Sequence, residues 1–428
     1  MKKRVLLAEQ HLRRGVDANA LISAYLERLG GKARLSLTGA QLCTHLLQFK
    51  PHVVYYPWIA PYVYNFLRRR AQEVPIVNAF QEQNTVLHQP EAPSVQWAGK
   101  ADYIFAWGQA HKQRLEELFS EPSVVLTGNP RFDPYFDPSI AETLYPSRSE
   151  LAERHGLPLE KDWVLVALDF PLVFSSESRL EELIEGGDLT KKRAKVPRKV
   201  YRLLQRWMQR LVAEKGREGV LIMRPHPGSD LGQIKQDFGG ETESVRYIRG
   251  GGLPPWLLAA DRYVTRASTS VMEAWLADMP TALIRRDMHI EEGKARPHIL
   301  EAETSLDSYS EFRGFVTSGR REESRNRHHN FLASHYRLDG RSAWRTAQKL
   351  QEIAAQQRRE PNYNGGYGEN VMVRTKFTLK RVLNQFGLNH WNPFHRPNGE
   401  FLSQSEAQQM IESVSSELCL DEGQEPTR

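Results

Sequence analysis

Short apolar runs alternate with amphipathic stretches along most of the chain, and this alternation limits the fold more than any single motif. Val5-Leu-Leu-Ala8, residues 33–37, Val53-Val-Tyr-Tyr56, Pro75-Ile-Val-Asn78, Tyr103-Ile-Phe-Ala106 and Val124-Val-Leu-Thr127 read as buried strands. Between them, residues 18–29, 39–49, 60–70 and 109–119 read as helices; Leu21, Ile22, Tyr25, Leu26 and Leu29 keep helical spacing before Gly30-Gly31. Strands apolar on both faces and separated by single helices pair in parallel, under helices on both sides. A second series repeats the rhythm. Its strands are 163–168, 219–223, 245–248, 262–265 and 281–284, and its helices 200–215, 231–237, 254–260 and 271–278. The prediction is α/β: two doubly wound Rossmann-like domains, 1–145 and 146–335, joined through a Pro-, Ser- and charge-rich linker at 137–161. Residues 336–428 form a helical extension and tail.

Open parallel sheets bind ligands beyond the carboxyl ends of their strands. In the second series two such ends carry suggestive residues. Leu221-Ile-Met-Arg-Pro-His-Pro-Gly-Ser-Asp230 places Arg224 and His226 in a loop after a strand ended by Pro225 and Pro227. Some forty residues later, Tyr263-Val-Thr-Arg-Ala-Ser-Thr-Ser-Val-Met-Glu-Ala-Trp275 sets Ser268, Thr269 and Ser270 at a helix start. Hydroxyls and unsatisfied N–H groups there suit an anion, and Glu273, one turn further on, suits a ribose hydroxyl. Taken alone, a His-Pro loop is most often structural and a Ser-Thr-Ser start is most often only a cap. In this order, together, they predict a phosphate held between them and so a nucleotide site.

Three carboxylates stand at strand ends as candidate general base or nucleophile: Asp17, in a polar loop read at 9–17, then Glu82 in Phe80-Gln-Glu-Gln-Asn84, then Asp169 after the strand 163–168. A helix cap or salt bridge is the plain alternative for each. Asp133, after a Pro-Arg turn, reads as structural.

The remaining composition excludes more than it assigns. Cys43 and Cys419 offer no disulfide framework and no metal cluster, which fits a reducing cytoplasm; neither a metal nor a cofactor is expected. No apolar run approaches the length of a membrane span, and the start is too short in apolar residues for a signal peptide. The net charge of +6 suggests an anionic partner. Nucleic acid is not expected, because the basic residues are dispersed and no recognition module is present. Residues 371–386 read as a basic amphipathic helix, with Arg374, Lys376, Lys380 and Arg381 opposite Val371, Phe377, Leu379 and Leu383. It is either packed with a solvated basic face or laid on an anionic membrane surface.

Four motifs, Arg224-Pro-His-Pro227, Ser268-Thr-Ser-Val-Met-Glu-Ala274, Gly128-Asn-Pro-Arg-Phe-Asp133 and Asp339-Gly-Arg341, together resemble bacterial surface-carbohydrate biosynthesis proteins over residues 1–358. Those are GT-B-type glycosyltransferases of capsule or lipopolysaccharide assembly. The resemblance implies a metal-independent transferase that takes a nucleotide-sugar donor, with a CMP-activated acidic sugar such as Kdo favoured. The acceptor would be a glycan or lipid-linked glycan, and the protein cytoplasmic, peripheral on the inner membrane face. It also implies that His226 contacts the donor phosphate, that Ser268, Thr269 and Ser270 hold it from the other side, and that Glu273 takes the ribose. Within the same fold, a CDP-glycerol-type polyol-phosphate transferase and a UDP-sugar epimerase remain open. So does a non-catalytic scaffold for polysaccharide assembly. Ala267-Ser-Thr-Ser and a single Glu273 depart from the glycine pair and paired glutamates of the epimerases.

Overall fold

The computed structural model describes residues 2–9, 12–37, 39–57, 61–80, 93–168, 191–214, 219–226, 229–266, 268–284, 304–317, 327–363 and 409–414, with single residues beside them. The chain divides into two compact units. Unit 1 comprises Met1–Leu144 and Leu332–Arg428; unit 2 is Tyr145–Phe331.

Unit 1 opens with β1 (Arg4–Ala8), α1 (Leu12–Arg28), β2 (Lys32–Ser36), α2 (Gly39–Phe49), β3 (Val53–Tyr56) and α3 (Pro61–Arg70). It continues with β4 (Ile76–Ala79), α4 (Pro93–Ala98), β5 (Tyr103–Ala106), α5 (Gln109–Leu118), β6 (Ser123–Leu126), a 3-10 turn at Pro130–Tyr135, and α6 (Pro138–Leu144). All six strands are parallel, in the order β2-β1-β3-β4-β5-β6. Alternate residues of β1 feed the two faces: Val5 and Leu7 pack with α1, Leu6 and Ala8 with α2 and α3. Burial on both faces explains why the inner strands β1, β3, β4 and β5 read as apolar runs, whereas the edge strands β2 and β6 are partly exposed.

Unit 2 contains α7 (Arg148–His155), β7 (Trp163–Leu168), α8 (Lys191–Ala213), β8 (Val220–Pro225), α9 (Leu231–Asp237), β9 (Val245–Tyr247), α10 (Pro254–Ala259), β10 (Arg262–Thr265), α11 (Ser270–Leu276), β11 (Thr281–Leu283) and α12 (Tyr309–Thr317). Its five parallel strands run in the order β11-β10-β7-β8-β9. The division between units falls within α13 (His329–His335), and α14 (Ser342–Gln356) follows. The predicted two doubly wound parallel sheets are present.

Several local expectations need correction. Helix α1 starts at Leu12, six residues before the predicted start, and takes in Gly15 and Asp17. The helix predicted at 200–215 begins nine residues earlier and runs from Lys191 to Ala213. The supposed linker carries α6 and the capped α7, where Ser147 accepts from Glu150 N–H and the Glu150 carboxylate takes the Ser147 N–H. Strand β8 runs on to Pro225, so Arg224 is a strand residue paired with Ala167 rather than a loop residue. Pro225 is tolerated because β9 pairs only as far as Met223, leaving this end of β8 bonded on one side.

The extension after 335 is not one separate body. Helix α14 buries Ala343, Ala347, Leu350, Ile353 and Ala354 in the core of unit 1, joined there by Ile411 and Val414. Two of the sequence motifs make this possible. The Asp133 carboxylate, 1% exposed, accepts the backbone N–H groups of Ser342 (3.0 Å) and Ala343 (2.6 Å), which are orphan donors at the start of α14. Burial pushes the Asp133 carboxyl up to about 7 against the opposing pull of those N–H groups. Arg345 donates to the Thr127 carbonyl (2.7 Å) and grips Asp339 with both terminal nitrogens, at 2.7 and 2.9 Å. Gly128, at φ 90°, leaves room for Ser342 where a side chain would collide. Residues 128–133 and 339–345 thus form a clasp, and the structural reading of Asp133 holds.

Candidate functional site

The order of sheet 2 contains a switch point. Strands β7, β8 and β9 step outward in one direction, and the chain then crosses back to lay β10 on the other side of β7. At such a point open parallel sheets bind ligands beyond the carboxyl ends of their strands. Val166 of β7 pairs with Met223 on one side and with Val264 on the other. His226, just past β8, and Ser268, just past β10, therefore leave the same edge of the sheet. Two strand spacings, about 10 Å, separate the parent strands.

On the β8 side, the chain turns immediately: Ser229 N–H donates to the His226 carbonyl at 2.8 Å, and Asp230 caps α9 by accepting from Gln233 N–H at 3.0 Å. His226 is half-buried at the head of this turn. Arg224 does different work. Its guanidinium donates to the carbonyls of Gly250 (3.0 Å), Gly251 (2.9 Å) and Gly252 (3.2 Å), and its carbon lies 5.5 Å from the Trp256 ring centre. Arginine is spent on holding the glycine loop before α10, a role the sequence does not advertise.

On the β10 side, a chain of hydroxyls runs outward from the core. Fully buried Tyr263 bonds the Ser270 hydroxyl, and Ser270 Oγ donates to Ser268 Oγ at 2.6 Å. Ser268 Oγ also accepts the Ser270 N–H at 3.3 Å. With both of those contacts accepted, the Ser268 proton remains available to a further acceptor. Ser268 and Thr269 are half-buried and Ser270 is 8% exposed. Thr269 occupies the N-cap position of α11 but makes no side-chain cap bond. Helix α11 has seven residues, so hydroxyl donors rather than a long helix dipole give this side its character. Glu273, 8% exposed, sits in the first turn.

The expected catalytic carboxylates fare differently. Asp17 is half-buried within α1, not in a loop after β1. Glu82 and Asp169 lie outside the described residues. Glu9, read in the sequence only as the first residue of the polar loop 9–17, is a further strand-end carboxylate. In unit 1 the switch point falls between β1 and β3, and Glu9 directly follows β1 there, 3% exposed. Asn19 Nδ2 lies 3.4 Å from its Oε2, and its charge adds to burial in raising the Tyr55 hydroxyl. The signal was available: a glutamate ending an otherwise apolar buried strand, with a glycine inside the helix that follows.

No protein-family model and no curated protein matches the chain. Solved structures do. A UDP-GlcNAc 2-epimerase of Methanocaldococcus jannaschii, in complex with UDP-GlcNAc and UDP, is similar over 82% of this chain and 100% of its own, at 14% identity and TM-score 0.52. The Staphylococcus aureus MnaA–UDP structure is similar over 85% and 100%, at 16% identity and TM-score 0.52. A variant of the wall teichoic acid polymerase TagF is similar over 83% and 90%, at 12% identity and TM-score 0.55. At these identities the likeness is one of fold, and that fold is the two-unit α/β architecture of the GT-B class.

Proposed function

We propose that unit 2 binds the nucleotide of an activated sugar or polyol phosphate, and that the chain is a transferase of surface-glycan assembly acting in the cytoplasm. The observation that carries this reading is that His226 and the Ser268 hydroxyl leave the same edge of the sheet, on either side of β7. An imidazole and a hydroxyl on either side of β7 suit a diester or diphosphate better than an apolar ligand. The fold likeness to proteins solved with UDP and UDP-GlcNAc, and to a teichoic acid polymerase, supports a nucleotide-linked substrate. Of the possible donors, the CMP-activated acidic sugar rests on the motif resemblance alone.

In this reading, an acceptor hydroxyl oxygen bonds to the donor carbon or phosphorus while the bond to the nucleoside phosphate breaks. The leaving group departs with the electron pair, and the acceptor proton passes to a carboxylate. Charge then builds on the nucleoside phosphate, where His226 and Ser268 donate; donors already oriented at that point lower the barrier. Glu273 would take the ribose.

A second reading, a UDP-sugar epimerase, draws on the same fold likeness. The two are separated by NMR of the purified protein with UDP-, CMP- and CDP-linked donors, with and without a glycan or polyol-phosphate acceptor. Acceptor-dependent release of free nucleotide supports the transferase. Conversion of a sugar at C2, with no acceptor present, would replace it with the epimerase.

A further inference from the structure

A cavity of about 790 Å³ opens at the amino-terminal edge of the first sheet, the opposite strand end from Glu9. Five cationic side chains line it: Lys2, Arg4, Lys32, Arg34 and Lys50. Two carboxylates, Glu27 and Glu360, stand among them. Over the whole chain 58 basic residues meet 52 acidic ones, so this local excess is not a sample of the average.

The fold assembles the cluster from four separate elements. Lys2 precedes β1 and Arg4 opens it; Lys32 and Arg34 lie on edge strand β2; Lys50 follows α2 at φ 48°; Glu360 follows α14. Arg4 is already engaged, donating to the Lys50 carbonyl at 2.8 Å and pairing with Glu360 at 2.5 Å. The Arg34 guanidinium carbon lies 5.2 Å from the Phe49 ring centre, and a guanidinium over a ring can still donate to an acceptor. Among the described residues, Lys32 and Lys50 have no ion-pair partner. Cations on an edge strand commonly serve only to block edge-to-edge pairing. That explains Lys32 and Arg34 on β2 but not Lys2 and Lys50, which lie off the strand and face the same concavity.

We infer that this cavity is a binding site for phosphate-bearing ligands, separate from the nucleotide reading of unit 2 and independent of it. Ammonium groups from several elements around a guanidinium edge are the donor set that phosphate oxygens take. The phosphate comes either from an anionic lipid headgroup or from a soluble phosphate ester. The chain leaves the described residues beside this edge, where the Tyr363 hydroxyl bonds the Pro51 carbonyl, eight residues before the basic sequence 371–386. That favours the lipid source.

The test compares the full chain with its K32E/R34E/K50E variant. Vesicles of phosphatidylcholine, with and without phosphatidylglycerol, are co-sedimented with each protein, and glycerol 3-phosphate is titrated by calorimetry. The expected result is binding to phosphatidylglycerol vesicles that the variant weakens at least tenfold with an unchanged melting temperature. Loss confined to glycerol 3-phosphate assigns the site to a soluble ester instead. K32Q/K50Q replaces the charge reversal if the triple variant does not fold. Binding of neither probe by the wild type, or equal binding by wild type and variant, overturns the site. So does vesicle binding that responds only to replacing Arg374, Lys376, Lys380 and Arg381 with glutamine.

Discussion

The Glu9 carboxylate occupies the space that a side chain at Gly15 would need, and so fixes a glycine inside helix α1. Glycine within a helix costs about 1 kcal/mol relative to alanine. Here the cost secures a buried acid at the end of β1. Gly15→Ala should therefore destabilise the protein by about 1–3 kcal/mol, the scale of overpacking, instead of stabilising it. Glu9→Ala in the same chain should restore most of the loss. Urea unfolding of the two single variants and the double variant measures the coupling; additive effects would remove the contact from the account.

Arg224 and His226, two residues apart, should separate experimentally. Arg224→Ala leaves three carbonyls of the 250–252 loop without their donor. Its expected effect is a stability loss of about 1–3 kcal/mol. His226→Ala should abolish donor-dependent activity with a nearly unchanged melting temperature. If His226→Ala unfolds the protein, the structural reading of that histidine wins.

The clasp in unit 1 gives a third prediction. Asp133→Ala strands two buried N–H groups at the start of α14 and should cost about 1–3 kcal/mol or more. Trp344, which meets Tyr25 edge-on at 5.4 Å, lies in the released helix. Hydrogen exchange should show protection lost in 342–356 ahead of sheet 1; uniform loss across unit 1 would mean that the helix is not held locally by Asp133.

Acid sensitivity follows from two histidines. Burial holds His111 down to about 3, with its Nδ1 accepting the Trp107 N–H, and burial with the Arg34 charge holds His45 down to about 4. In the unfolded chain each takes up a proton near pH 6.5. The folded protein binds fewer protons over that interval, so the stability they contribute is full above pH 6.5 and lost as pH falls toward 3–4. Comparing His111→Gln with wild type in urea on both sides of pH 6.5 isolates one of them. The variant should show the shallower loss; parallel profiles would contradict the assignment.

How far the sequence carried depended on how local the cause was. The inner strands were legible because burial on both faces leaves an apolar run without interruption, as in Val53-Val-Tyr-Tyr56. The N-terminus of α1 was not. Arg13, Arg14 and Gly15 look like loop residues until Glu9, six residues upstream of Gly15, is known to need the space. Arg224 looked like a ligand residue because its three partners lie about 26 residues downstream, in a loop with no pattern of its own. The pairing of residues 128–133 with 339–345 was equally hidden, since nothing at either end announces a partner more than 200 residues away. His226 and Ser268 were legible because strand-end position, not distant packing, brings them to one edge.

The most direct measurement of the central claim is calorimetric titration of the wild-type protein and of His226→Ala with CMP, CDP, UDP and GDP, with and without magnesium. The account predicts that one of these nucleotides binds the wild type without a metal, and that His226→Ala weakens it at least tenfold while the protein stays folded. A selective response to CMP, CDP or UDP would name the donor class. No binding by any nucleotide, or equal binding by the variant, would contradict the account and leave the fold as a scaffold.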